Sequence, residues 1–193
     1  MQDRIAGTPL GPDVLEILEQ LGRVVPQETT LLLTGEAGTG KRRLARLVHD
    51  LSPRRDEPFL VVDCGSLEPA RMESELFGHV QGAFPGADSD CTGRLEAAAR
   101  GTLVLHKVTA LPLTLQAKLL HAMDDRFFEP IGADRGQPLL ARLMATSNLS
   151  LEEEVAAGRF RAELYESPKN ICIQNACWLY HYQEVFVVTF PRK

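Results

Sequence analysis

No stretch of this 193-residue sequence is apolar for long enough to cross a bilayer, which takes ~20 consecutive residues. A membrane role is therefore not expected. The start, Met1-Gln2-Asp3-Arg4, lacks the basic-then-apolar layout of a secretory signal, so cytoplasmic residence is the expectation. Cysteine is scarce, and positions 64, 91, 172 and 177 form no C-x-x-C pair and have no histidine partner at zinc spacing. A zinc site and a disulfide framework are thus not expected, and no metal centre is assigned. Basic residues do not dominate either: the net charge is −5, which argues against a broadly basic face and against direct DNA binding. Repeats and low-complexity tracts are missing. The last 27 residues contain no glycine but hold two of the three tyrosines and the only tryptophan.

The length suits one domain with a sizeable core. Val14, Leu15, Ile17, Leu18 and Leu21 have helical spacing over 13–25, after a Gly11-Pro12-Asp13 start signal. Short apolar runs at 30–34, 59–62, 103–105 and 139–145 read as buried strands. Helical patterns cover 41–51, 73–77, 115–123 and 151–157. Strands alternating with helices imply an α/β fold, a parallel sheet flanked by helices on both faces. Gln183 to Phe190 is β-branched and aromatic, which predicts a terminal strand. Cys64 ends the run Phe59-Leu60-Val61-Val62 and reads as a small buried side chain.

Gly35-Glu36-Ala37-Gly38-Thr39-Gly40-Lys41 has the G-x-x-x-x-G-K spacing of a phosphate-binding loop, with a strand before it and a helix after. Glycines let backbone N–H groups close around phosphate oxygens, and the helix start adds a favourable dipole. Lys41 is placed to reach the terminal phosphates. Arg42 stands where many such loops put a magnesium-binding hydroxyl. Residues 35 to 42 are therefore the candidate site for ATP or ADP. The competing reading is a glycine turn that merely joins strand to helix.

Glu73-Ser74-Glu75-Leu76-Phe77-Gly78-His79-Val80-Gln81-Gly82-Ala83-Phe84-Pro85-Gly86-Ala87 resembles the ESELFGHEKGAFTGA segment of sigma-54-dependent transcriptional activators, the AAA+ bacterial enhancer-binding proteins. The resemblance continues through Gly93-Arg94-Leu95-Glu96, Gly101-Thr102-Leu103, Leu111-Pro112-Leu113 and Gln116-Ala117-Lys118-Leu119-Leu120. It also takes in Ala145-Thr146-Ser147-Asn148 and Gly158-Arg159-Phe160-Arg161, spanning about residues 8 to 165. It implies a P-loop AAA+ core over 1–166, with ATP between subunits of a ring. A loop, here Gly82, Ala83, Phe84, Pro85, Gly86 and Ala87, would touch the sigma-54 subunit of RNA polymerase. By the same resemblance Asn148 is the γ-phosphate sensor, and Arg161 is one of two arginines offered to a neighbouring subunit's ATP.

Several positions depart from the family pattern. His106 and Lys107 follow the apolar run at 103–105, where the family carries Asp and Glu to hold magnesium and polarise water. Magnesium favours oxygen ligands, and a protonated lysine cannot accept a proton. Slow hydrolysis and weak or absent Mg2+ binding are therefore expected. The alternative is that Glu73 or Glu75 moves in to compensate. By the resemblance Asp63 replaces an asparagine that restrains the catalytic Glu, and two readings stand there: an Asp63–Lys107 ion pair that replaces the polar contact and locks the site, or two unrelated surface charges. Pro85 replaces the threonine at the loop tip, removing a hydroxyl and an N–H. Ser167 stands where the second arginine belongs. A helical lid, a receiver domain and a helix-turn-helix are expected to be absent, with 167–193 a divergent tail.

Three readings follow: a nucleotide-binding regulator with impaired hydrolysis, a working ATPase that remodels sigma-54 RNA polymerase, and a truncated relic. Partners in the first are sigma-54 RNA polymerase or related AAA+ subunits, with the oligomeric state left open. His49, His79 and His121 read as structural rather than metal-binding.

Overall fold

Alternate residues of a strand face opposite sides of its sheet, so a run apolar at every position must be covered on both. Leu31-Leu32-Leu33 and Leu103-Val104-Leu105 are such runs, and all six side chains are buried. The computed structural model describes residues 25–26 and 29–167. It also describes the backbone of short strands at 4–5, 8–9, 170–174 and 187–189. The helix expected over 13–25 lies outside the described residues, apart from Val25.

Strands β1 (Arg4–Ile5) and β2 (Thr8–Pro9) form a short antiparallel pair. Then follow β3 (Thr30–Thr34), α1 (Lys41–Leu51), β4 (Phe59–Asp63), α2 (Pro69–Phe77), α3 (Arg94–Ala97) and β5 (Thr102–His106). A 3-10 turn (Val108–Ala110) leads to α4 (Leu113–Asp125) and a hairpin of β6 (Phe127–Phe128) with β7 (Gln137–Pro138). Next come β8 (Arg142–Ser147), α5 (Leu151–Ala156), α6 (Ala162–Tyr165), β9 (Asn170–Gln174) and β10 (Val187–Thr189). The main sheet has the order β10-β9-β3-β8-β5-β4. All its pairings are parallel except that of β10 with β9. Asn170–Gln174, within the segment expected as a divergent tail, thus pairs in register with β3.

Each face of the sheet has its own core. Leu32, Leu103, Leu105 and Leu143 pack with Met72, Leu76 and Phe77 of α2 and Leu115 and Leu119 of α4. On the other face Leu31, Leu33, Val104 and Met144 pack with Leu44, Ala45 and Val48 of α1. Burying one such side chain contributes about 1.5–3 kcal/mol, so the strands are fixed by packing rather than by local preference. Cys64 is buried and unpaired, as its apolar setting implied.

Two of the boundaries that differ from the sequence reading have a local cause. The strand expected over 139–145 runs from Arg142 to Ser147. Leu139 is buried, but its N–H donates to the Arg126 carbonyl, outside the sheet. Arg142 enters the sheet because its guanidinium donates to the carbonyls of Val25 and Thr29 (3.0 and 3.3 Å). The helix expected over 73–77 begins at Pro69, a residue whose fixed φ suits a first helical turn.

The parallel order brings the carboxyl ends of β3, β4, β5 and β8 to one rim. Thr34 pairs with Ser147, His106 with Thr146, and Asp63 with His106. Ligand sites in open α/β sheets form at this rim.

Candidate functional site

The loop after β3 turns sharply because Gly38 and Gly40 carry φ of 85° and 83°, values that side-chain-bearing residues seldom adopt. Gly40 caps α1, whose first residue is Lys41. The Gly35 N–H donates to the Ser147 carbonyl at 3.2 Å, tying the loop to β8. Lys41 is only 4% exposed. Its Nζ donates to the carbonyls of Gly35 (2.7 Å) and Glu36 (2.5 Å) and to Thr39 Oγ1 (3.3 Å). Burial lowers its pKa below 10.5, with Glu36 opposing. A phosphate would offer this ammonium a charged acceptor in place of the neutral carbonyls it now meets.

The loop opens into a cleft of about 360 Å³, lined by Ala37, Gly38, Gly40, Lys41, Arg42, Arg43, His106, Lys107 and Asn148. The fold therefore gathers the candidate loop, both replaced acid positions and the candidate sensor. Arg43 and Thr146 were not singled out from the sequence. Arg43 follows the recognised loop, whereas Thr146 could be found only from the pairing of β5 with β8. Its Oγ1 lies 2.7 Å from His106 Nδ1 and accepts the Lys107 N–H at 3.3 Å. Burial chiefly lowers the His106 pKa below 6.5. Lys107, Arg42 and Lys41 push the same way and Asp63 the other. Burial thus favours the neutral imidazole.

Asp63 ends β4, and its two oxygens are both engaged. Oδ2 accepts Lys107 Nζ at 3.1 Å, and Oδ1 accepts the Gly65 N–H at 3.1 Å. Burial alone would raise its pKa, but the hydrogen bonds from Lys107 and Gly65, with the charges of Lys107 and His106, bring it below 3.8. Lys107 holds a left-handed backbone, φ 57°, a conformation that costs free energy in a residue with a Cβ.

Neither acid that could compensate lies in the cleft. Glu73 pairs with Lys118 at 3.0 Å, and Glu75 with Arg94 at 3.1 Å, both on α2. Among the described residues no three His, Cys, Asp or Glu side chains gather as a metal site. Magnesium is the ion the resemblance implies, and this donor set does not fit it. The cleft offers imidazole, ammonium and guanidinium in place of carboxylate and hydroxyl oxygens.

Arg161 is not among the residues that line the cleft. It precedes α6, and its N–H donates to Gln116 Oε1 at 2.8 Å. Gln116 is fully buried and also donates to the carbonyls of Leu111 and Arg159. It therefore pins the whole 159–161 segment, a role its sequence gave no sign of. Arg161 Nε lies 3.6 Å from Glu163 Oε2 but makes no hydrogen bond.

The segment Gly82, Ala83, Phe84, Pro85, Gly86 and Ala87 folds as a closed loop. The Gly82 N–H donates to the Ala87 carbonyl, and the Ala87 N–H to the Phe84 carbonyl. With Pro85 second and Gly86 third at φ 96°, Phe84–Ala87 has the signature of a type II turn. The Phe84 ring stays 39% exposed and lies 4.9 Å from His79. His79 Nδ1 is 2.7 Å from Ser74 Oγ, a structural contact.

Comparison with known proteins gives this geometry a family. Residues 11–174 match the sigma-54 interaction domain. The chain is 46% identical over 154 residues to a Nif-specific regulatory protein of Azospirillum brasilense, covering 80% of this chain and 25% of that protein. It is 42% identical over 156 residues to the response regulator protein FleR of Pseudomonas aeruginosa, covering 81% and 33%. It thus spans a quarter to a third of these relatives. NtrX of Brucella abortus in complex with ADP superposes with a TM-score of 0.78 at 30% identity, over 90% of this chain and 37% of that one. In complex with ATP the TM-score is 0.78 at 29% identity, over 89% and 37%. No helix among the described residues is long and apolar enough to cross a membrane. The strand order, the glycine loop at the sheet rim and these matches agree: the chain belongs to the sigma-54 interaction domain family, the AAA+ core of sigma-54-dependent activators.

Proposed function

We propose that this chain is a nucleotide-binding AAA+ module that holds ATP or ADP in the 35–42 loop, hydrolyses it slowly, and acts in transcription through protein contacts. The core takes in residues 1–166, with the strand at 170–174 completing its sheet and the remainder a divergent tail. One observation carries the reading. The cleft that holds Lys41 and Asn148 also holds His106 and Lys107, and both oxygens of the adjacent Asp63 are engaged. The NtrX complexes with ADP and ATP support nucleotide binding at the matching fold.

Asn148 serves as the γ-phosphate sensor. Arg161, outside its own cleft, serves a neighbouring subunit's nucleotide. The 82–87 loop, with Phe84 exposed, faces sigma-54 RNA polymerase or a related AAA+ subunit. The module works in the cytoplasm without direct DNA contact.

The test combines melting temperature with phosphate release. A ligand that binds only the folded form raises the midpoint, so millimolar ATP is expected to stabilise the chain and Lys41→Ala to abolish the shift. Phosphate release is expected to stay near background. Brisk release by the unaltered chain would make it a working ATPase, and the absence of any shift would leave it a relic.

A further inference from the structure

The cleft carries four basic side chains, Lys41, Arg42, Arg43 and Lys107, and among the described residues no carboxylate lines it. Such a wall has an unusual preference. A nucleoside triphosphate in water is a tetra-anion, and a bound magnesium ion cancels two of those charges. Magnesium also keeps most of its waters and needs oxygen ligands in octahedral order. Here the hydroxyl position is Arg42, the carboxylate position is His106, and each oxygen of the adjacent Asp63 already accepts a hydrogen bond. A complexed triphosphate would bring its hydrated cation against guanidinium and ammonium groups. An uncomplexed one would meet the basic side chains with no cation between.

Lys107 is suited to the vacated role. Its ammonium has three N–H donors, one of which goes to Asp63. The side chain is 42% exposed at the cleft, so the other two can turn to phosphate oxygens. Asp63 then acts as a tether that sets where the ammonium stands. The bidentate fork of an arginine suits phosphate geometry as well.

We infer that this site selects a metal-free polyphosphate, with Lys107 held by Asp63 standing in for the magnesium ion, so that magnesium weakens binding instead of supporting it. This inference rests on the nucleotide-binding reading above and reverses the usual order of metal and nucleotide.

The experiment is calorimetric titration of the full chain with ATP, once in EDTA and once in excess magnesium chloride. Affinity in EDTA is expected to be about tenfold tighter, the scale set by losing two charges from a partly screened cationic cleft. Tighter binding with magnesium would overturn the inference while leaving nucleotide binding intact. No binding in either buffer would overturn both readings at once. Sodium tripolyphosphate in EDTA is expected to compete with ATP, since the cations read phosphate and not base. Failure to compete would overturn recognition through the phosphates alone. Lys107→Gln, at a half-exposed site compatible with folding, is expected to bring the EDTA affinity down to the magnesium value. An unchanged preference in that variant would remove Lys107 from the role.

Discussion

Lys107 Nζ stands 3.1 Å from Asp63 Oδ2 at the ends of two neighbouring strands, where Asp63 and His106 are register partners. Relative to the family pattern, the asparagine position on β4 is thus a carboxylate and the glutamate position after β5 an ammonium. A side-chain pair exposed by 42% and 34% contributes less than about 1 kcal/mol, so its consequence is chemical more than structural.

On the proposed reading, raising the rate of hydrolysis needs more than the two acids. His106→Asp with Lys107→Glu would place a new carboxylate against Asp63, and like charges at that distance repel. The double variant is expected to release phosphate modestly faster than the parent. Adding Asp63→Asn is expected to raise the rate by about 10²-fold or more, as metal placement and water activation return together. Steady-state phosphate release in magnesium buffer checks the order of the three. A double variant that equals the triple one would show that Asp63 has no hold on the site.

The glycine loop, the helix over 41–51 and the strand at 30–34 were legible because local chemistry dictates them. An unbroken apolar run, buried on both faces, makes the strand, and glycines and Lys41 make the turn. The Asp63–Lys107 pair was also legible, since the resemblance placed both residues beside one catalytic position. Thr146 was not, because its contact with His106 depends on which strand lies beside β5. The β6–β7 hairpin escaped notice for a similar reason. Its strands are two residues each and carry no readable period. Leu139 misled the strand boundary, since a buried apolar residue reads as strand until its N–H is seen to bond the Arg126 carbonyl outside the sheet.

Pro85 stiffens the loop that the family uses for contact. The turn Phe84–Ala87 needs φ near −65° at its second residue, which proline fixes in the unfolded chain as well. Pro85→Thr is expected to lower stability by about 0.4–1 kcal/mol through that entropy. It is also expected to speed limited proteolysis within 82–87. Thermal melting and cleavage mapping check the two effects separately. Unchanged cleavage would mean that the closing bonds of Gly82 and Ala87, rather than Pro85, hold the loop.

His49 sets an acid limit on the fold. It lies near the end of α1, 1% exposed, with Nδ1 2.9 Å from Thr102 Oγ1 and its ring 5.1 Å from that of Phe59. Burial, then the charge of Arg46, lowers its pKa below 6.5, while Asp50 and the backbone of Arg55 and Glu57 oppose. Because the folded value is the lower one, the unfolded chain takes up this proton first as pH falls. The group is neutral in both states well above pH 6.5, and stability is lost from there downward towards the folded value. One proton limits the slope to about 1.4 kcal/mol per pH unit. Chemical denaturation between pH 7.5 and 5.5 is expected to show this loss, and His49→Leu is expected to flatten it. The leucine variant starts from lower stability because it leaves the Thr102 hydroxyl unpaired in the core. The slope, not the absolute value, is therefore the quantity that isolates the imidazole.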